Sequence, residues 1–217
     1  MKKILSVPIL SVLALTVGYF QVCGQSSFSF GLTAGIASTG MTSHLANNGG
    51  GTSGYSYTGK SSIFLGLASN IRATDQIRIQ PEFLLQLIGS RISETGYGHY
   101  SVDIAYFKVP IDVLYKVKAG PGDLQVGLGP YFAKALLGTA DGQSMVFGNK
   151  AGDDDLRGGD FGLDLRAEYV FHFGFFLSLN YDDGLANVIP GGSSHGNDHT
   201  YCTGISIGML FGYRQKK

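Results

Sequence analysis

Asp160-Phe161-Gly162-Leu163-Asp164-Leu165-Arg166-Ala167-Glu168-Tyr169-Val170-Phe171 alternates residue by residue between lipid-compatible and polar side chains. Successive side chains of an extended chain point to opposite faces. Phe161, Leu163, Leu165, Ala167, Tyr169 and Phe171 therefore share one face, and Asp160, Gly162, Asp164, Arg166 and Glu168 share the other. A strand of a soluble sheet also alternates, but its polar face normally meets solvent rather than lying behind an unbroken row of such bulky apolar groups. The pattern predicts a transmembrane β-barrel with a charged interior.

Working outward, eight strand-like runs carry an apolar set at every second position. They include Phe28 to Ala37, Ser62 to Ile71, Ile77 to Gly89, Leu124 to Leu137, Phe175 to Asp182 and Tyr201 to Tyr213. Between the third and fifth, Phe107, Val109, Ile111, Val113, Tyr115 and Val117 face outward against Lys108, Asp112 and Lys116. Eight is an even number, as bacterial outer-membrane barrels require. The connections alternate as well: Arg72 to Gln76, Lys118 to Asp123 and His172 to Gly174 are short. Ser38 to Lys60, Ser90 to Asp103, Thr139 to Gly159 and Asp183 to Thr200 are long and rich in Gly, Ser, Asn and Asp. Short turns in the periplasm, long loops outside the cell and both termini periplasmic are what such a barrel shows. A soluble sandwich or lipocalin-like barrel seldom alternates so strictly and does not need so many outward aromatic and aliphatic groups.

The first 24 residues have a leader's form. Lys2 and Lys3 precede an apolar run from Ile4 to Phe20 that contains Pro8, and small and polar residues follow. This predicts a signal peptide cleaved after Gly24, with residues 25–217 forming the barrel domain. A retained helical anchor and lipid attachment at Cys23 are the alternatives. Without the leader, Cys202 is the one cysteine, and Lys plus Arg falls from 16 to 14 against 16 Asp plus Glu. No intramolecular disulfide is expected, and no basic cluster invites nucleic acid. The 33 glycines, 12 tyrosines and 14 phenylalanines suit strands and turns.

Lipid on both sides of an open strand edge would leave backbone groups without partners, so the last strand is expected to pair with the first. An eight-stranded barrel is narrow enough for side chains to fill. The predicted filling is Glu82, Lys108, Asp112, Lys116, Lys134, Asp164, Arg166, Glu168 and Asp182, five acids against four bases. Enclosed charges must be paired or hydrated. This reads as a salt-bridge network plugging the lumen, with a proton or ion path as the alternative use of the same groups.

Other chemistry is weakly supported. His99, His195 and His199 lie near serines in predicted loops, which leaves a lipid-modifying outer-membrane enzyme as an alternative, but no Gly-x-Ser-x-Gly elbow accompanies them, so no catalysis is expected. His195, Asp198 and His199, and the run Asp153-Asp154-Asp155, lack the ligand number and spacing of zinc or calcium sites. Gly49-Gly50-Gly51 has no following Gly-Lys-Ser/Thr and is no phosphate cradle. No metal or cofactor is expected.

Pro81-Glu82-Phe83-Leu84-Leu85-Gln86, Tyr106-Phe107-Lys108-Val109-Pro110-Ile111 and Gly127-Leu128-Gly129-Pro130-Tyr131 come in an order that resembles the PorT-like outer-membrane β-barrel family. Asn180-Tyr181-Asp182-Asp183-Gly184-Leu185-Ala186-Asn187 and Gly212-Tyr213-Arg214 are similar to its closing strands. The resemblance implies an integral outer-membrane barrel in contact with lipid. It also implies a place in an envelope export or assembly machinery, with other envelope proteins as partners. A structural or surface ligand-binding barrel acting through its extracellular loops is the other expectation. Two features depart from outer-membrane habit: there is no Trp, and the chain ends Arg214-Gln215-Lys216-Lys217 rather than on an aromatic residue.

Overall fold

A computed structural model describes residues 28–43, 55–94, 98–150, 153–188, 190 and 198–213. The expected signal peptide with Cys23, the glycine run at 49–51, His195 and the tail 214–217 lie outside the described residues.

Among the described residues nine strands follow one another: β1 (Phe28–Ser43), β2 (Tyr55–Arg72), β3 (Ile77–Glu94), β4 (Gly98–Ala119), β5 (Gly122–Ala140), β6 (Gln143–Ser144), β7 (Gly159–Phe171), β8 (Phe175–Gly184) and β9 (Asp198–Phe211). β6 is a two-residue piece. It folds back on the end of β5 through Asp141 and Gly142, both at positive φ, as a two-residue Asp-Gly hairpin requires. The other eight strands form one antiparallel sheet in the order β4-β3-β2-β1-β9-β8-β7-β5, and β4 pairs with β5 to close it. The expected pairing of last strand with first runs from Phe30↔Phe211 to Ser43↔Asp198.

Register fixes the shape. Walking between paired residues from Leu124 of β5 through Tyr169, Leu177, Ile207, Ala34, Leu65, Leu85 and Phe107 returns to β5 at Lys134, ten residues further on. With about 3.3 Å per residue along a strand and about 4.8 Å between strands, a shift of ten over eight strands gives a tilt of about 41° and a radius of about 8 Å. Ten residues at that tilt climb about 25 Å, the height of a lipid-facing band. The outer face agrees. Apolar positions such as Phe28, Ile36, Leu65, Leu85, Val126 and Leu165 are exposed. At the loop end that face turns polar at Ser38, Ser61, Asp103, Lys134, Asp183 and Thr203, all exposed.

The strands on one side are longer than the alternation predicts. β1 continues to Ser43 rather than Ala37, β2 begins at Tyr55 rather than Ser62, and β3 and β4 extend into the expected loop from Ser90 to Asp103. Beyond the polar rim nothing apolar is needed outside, so hydropathy stops alternating while hydrogen-bonded pairing goes on. The result is a raised wall of β1 to β5 facing the lower rims of β7 and β8. Lys60 and Asp103 join across the outside of this wall at 2.6 Å, passing over Gly89, where a Cβ would lie 2.8 Å from the Asp103 carboxylate.

Candidate functional site

The inward row of each strand builds the lumen in layers. At the turn end, Ala68, Val170, Phe176 and Leu210 form a buried apolar cluster with Tyr213 against it. Beside it, Tyr213 Oη donates to Asp123 at 2.7 Å, and Lys116 Nζ lies 3.6 Å from the same carboxylate. Above comes an amide layer in which Asn70 Nδ2 donates to Gln80 Oε1 at 2.8 Å and to Gln125 Oε1 at 3.1 Å. Gln80 Nε2 then donates to Glu168 at 3.0 Å and to Glu82 at 3.2 Å.

Arg166 occupies the centre. Its two terminal nitrogens hold the Glu82 carboxylate at 2.8 and 3.0 Å, its Nε donates to Asp112 at 2.8 Å, and Asp164 lies 3.8 Å away. The flat guanidinium fork fits a carboxylate in two parallel bonds, which an ammonium cannot do. Local sequence makes room for it: the sheet neighbours of Arg166 are Gly127 and Asn180, and those of Asp164 are Gly129 and Asp182. A Cβ on Gly127 or Gly129 would meet a carbonyl oxygen of β4 at 2.0 or 1.9 Å. The glycines thus let the wall close tightly while Arg166 reaches across the barrel.

Lys108 forms the next layer. Its Nζ is 2.5 Å from Asp182 and 3.7 Å from Asp164, and it sits 4.8 Å from the centre of the Tyr131 ring. Higher still, Tyr131 Oη and Thr200 Oγ1 donate to Asp160 at 3.2 and 2.6 Å. The loop end is covered by a second apolar cluster of Met41, Ile88, Val102, Ile104, Tyr106 and Ala135. Met145, Phe147 and Leu156 pack onto it from the connection between β5 and β7.

Seven of the nine sequence-predicted lumen charges, Glu82, Lys108, Asp112, Asp164, Arg166, Glu168 and Asp182, are buried together here. Lys116 is half-buried at the turn end. Lys134 does not belong with them: it is exposed on the outer face, paired in register with outward Phe107. The reason is parity, because Lys134 is ten positions from outward Leu124 and an even step along a strand preserves the face. Arg78, Asp123 and Asp160 are buried lumen charges that the prediction left out. Their inward parity was readable, and Asp160 already stands on the polar face of the stretch from Asp160 to Phe171, but each is the second residue of its strand and was left out of the expected network.

The remaining candidates separate. His99 is in β4 and His199, half-buried, is in β9. Among the described residues no group of three or more His, Cys, Asp or Glu is placed to hold a metal. Asp154 and Asp155 accept backbone N–H bonds from Lys150 and Val146 at 2.7 Å each, ordering their own loop. Cys202 is buried on the inward face and accepts from Gln86 Nε2 at 3.1 Å.

The architecture has known counterparts. OprG from Pseudomonas aeruginosa is similar at a TM-score of 0.52 with 17% identity, over 85% of this chain and 96% of that one. Outer Membrane Protein W of E. coli gives 0.47 with 17% identity over 85% and 98%. Ail of Yersinia pestis gives 0.45 with 13% identity over 85% and 99%. Identities this low speak for the fold alone. No curated protein is significantly similar to the chain in sequence. The family model for the outer membrane protein beta-barrel domain matches residues 21–190, stopping ahead of β9, which the structure places between β8 and β1. With most of its length matched and its sheet closed around a charged lumen, this chain belongs to the outer membrane protein β-barrel domain family and is an integral protein of the outer membrane.

Proposed function

We propose that this protein is a non-enzymatic, non-conducting outer-membrane barrel whose activity lies at its loop end, where it binds ligands at the cell surface. The observation that carries this reading is the filling of the lumen. Arg166, Glu82 and Asp112 are joined by direct hydrogen bonds at the middle, with apolar clusters covering the network at each end. An ion crossing the barrel would have to break those bonds, and leaving either partner of a buried pair alone costs several kcal/mol. In this reading the short turns and both termini face the periplasm, the raised wall of β1 to β5 stands outside the cell, and outer-membrane lipid surrounds the apolar band.

Planar-bilayer recording of the purified protein tests it. The expected result is no unitary current in the folded protein. Steady, voltage-independent steps would contradict the reading and make the lumen a channel. The export role implied by the PorT-like resemblance makes a separate demand, because deleting the gene would strand a class of secreted proteins in the periplasm. Under the surface-binding reading the secreted proteins of the deletion strain match those of its parent.

A further inference from the structure

We propose that the loop end contains a closed binding chamber for an organic ammonium ion with an apolar body. Asp160 is its charge partner, and Phe147 fills the chamber when no ligand is present. This rests on the surface-binding reading above and names the chemistry of its ligand.

Two buried polar groups at the floor are incompletely used. Asp160 is 5% exposed, and while its Oδ2 accepts from Tyr131 and Thr200, its Oδ1 has no side-chain partner among the described residues. Tyr106 is 1% exposed and its hydroxyl has no partner among the described residues. Both line a cavity of about 10 Å³, the size of one water. Lys108 shares that lining but is held at 2.5 Å by Asp182 and lies 3.7 Å from Asp164. Lys108 is thus taken up by Asp182 and Asp164, and Asp164 also lies 3.8 Å from Arg166, which leaves Asp160 as the carboxylate of this lining whose side-chain partners are hydroxyl groups alone. A buried carboxylate is costly until a cation joins it, so this floor favours a positive ligand and repels an anion. The Tyr106 ring adds an aromatic wall of the kind that receives ammonium groups.

The space above the floor is apolar and is filled by the chain itself. Met41, Ile88, Val102 and Ile104 form its wall, and Met145, Phe147 and Leu156 pack onto them from the connecting loop. The Phe147 ring fits because position 138 is glycine, where a Cβ would lie 2.5 Å from the ring. The loop is braced mainly within itself, by bonds such as Asp155 N–H to Val146 O and Gly148 N–H to Leu156 O. Swinging it outward breaks the bonds from Met145 N–H to Gly138 O and from Arg157 N–H to Val188 O, spares the pairing of β5 with β7, and frees the volume of one aromatic side chain beside the cluster that holds Tyr106. A ligand with a phenyl-sized body and an ammonium group replaces Phe147 with its body and compensates Asp160 with its charge.

The test is calorimetric titration of the full-length protein in lipid nanodiscs with three probes of matched shape: phenethylammonium, 2-phenylethanol and 3-phenylpropanoate. Phenethylammonium should bind tightest and 3-phenylpropanoate not at all. Asp160→Asn keeps the size and the acceptor for Thr200, and should weaken phenethylammonium at least about tenfold while leaving 2-phenylethanol unchanged. Tyr106→Phe deletes a hydroxyl that no side chain uses and gives a second measurement in a barrel of unaltered packing; it should also weaken the ammonium. Phe147→Ala should tighten it by emptying the chamber. If 2-phenylethanol binds as well as the ammonium, or both floor variants leave the ammonium unaffected, the ligand class is overturned although binding at this end survives. If no probe binds to the wild type or to Phe147→Ala, the chamber itself is overturned. A conducting barrel would instead overturn the surface-binding reading on which the chamber rests.

Discussion

At the scale of single residues, parity decides fate. Lys108 and Lys134 are both lysines on strands of the same wall, yet one is buried against Asp182 and the other is exposed at the polar rim. Lys108→Ala and Arg166→Ala each leave carboxylates without a cation and should cost about 3–5 kcal/mol. Lys134→Ala, at an exposed position, should stay within about 0.5 kcal/mol. Urea titration of the barrel in lipid vesicles measures all three, and a large loss at Lys134 would contradict its outward placement. Tyr213 offers a pH test beyond the end of β9. Burial, together with its hydrogen bond to the Asp123 carboxylate, pushes its phenol above the ordinary range. The neutral form is thus the one the fold favours, so its contribution is complete below about pH 10, the ordinary tyrosine value. It fades as the pH rises further and the unfolded chain alone loses the proton. Stability between about pH 8 and about pH 11 should fall less steeply in Tyr213→Phe than in the wild type.

At the scale of elements, the segments of clearest alternation were legible and their ends were not. β7 and β8 match the sequence reading almost residue for residue, because every outward position meets lipid and every inward one meets the packed lumen. β1 to β4 run past their predicted ends, where the outer face meets water and polarity no longer reports orientation. Register shifts were also hidden. Between Gly59 and Phe64 the pairing of β2 with β3 slips, and hydroxyls take over the backbone groups that the ladder drops. The Thr39 hydroxyl accepts from Gly89 N–H at 3.1 Å and lies within 3.3 Å of the Lys60 carbonyl, and Ser62 Oγ donates to Leu87 O. Nothing in the sequence marks Thr39 for this task, since threonine is common on any strand. Thr39→Val keeps the shape and strands a buried N–H, so it should cost about 1–3 kcal/mol. Hydrogen exchange should show Gly89 as the amide that loses most protection.

At the scale of the whole molecule, closure follows from the surrounding lipid and packing follows from closure. Eight strands with a shift of ten give a radius of about 8 Å, which side chains fill without leaving a pore. The sequence could announce that charges lie inside. It could not say which meet, because Arg166 and Glu82 are 84 positions apart in the chain and come together only through the register of the strands between them. Nor could it show that apolar clusters cover the network at both ends, because Phe176 and Leu210 at one end and Tyr106 and Ile104 at the other break the rule that inward means polar.

The central claim is that the outward row of β7 faces lipid while its inward row is packed away from both lipid and water. A cysteine scan of β7 in a Cys202→Ser background, with intact membranes treated by a charged, water-soluble thiol reagent or by a lipid-soluble maleimide, tests this directly. Phe161, Leu163 and Leu165 variants should react with the lipid-soluble reagent alone, and Gly162, Asp164 and Glu168 variants with neither. Rapid modification of the Asp164 and Glu168 variants by the charged reagent would mean a water-filled lumen and would contradict the account.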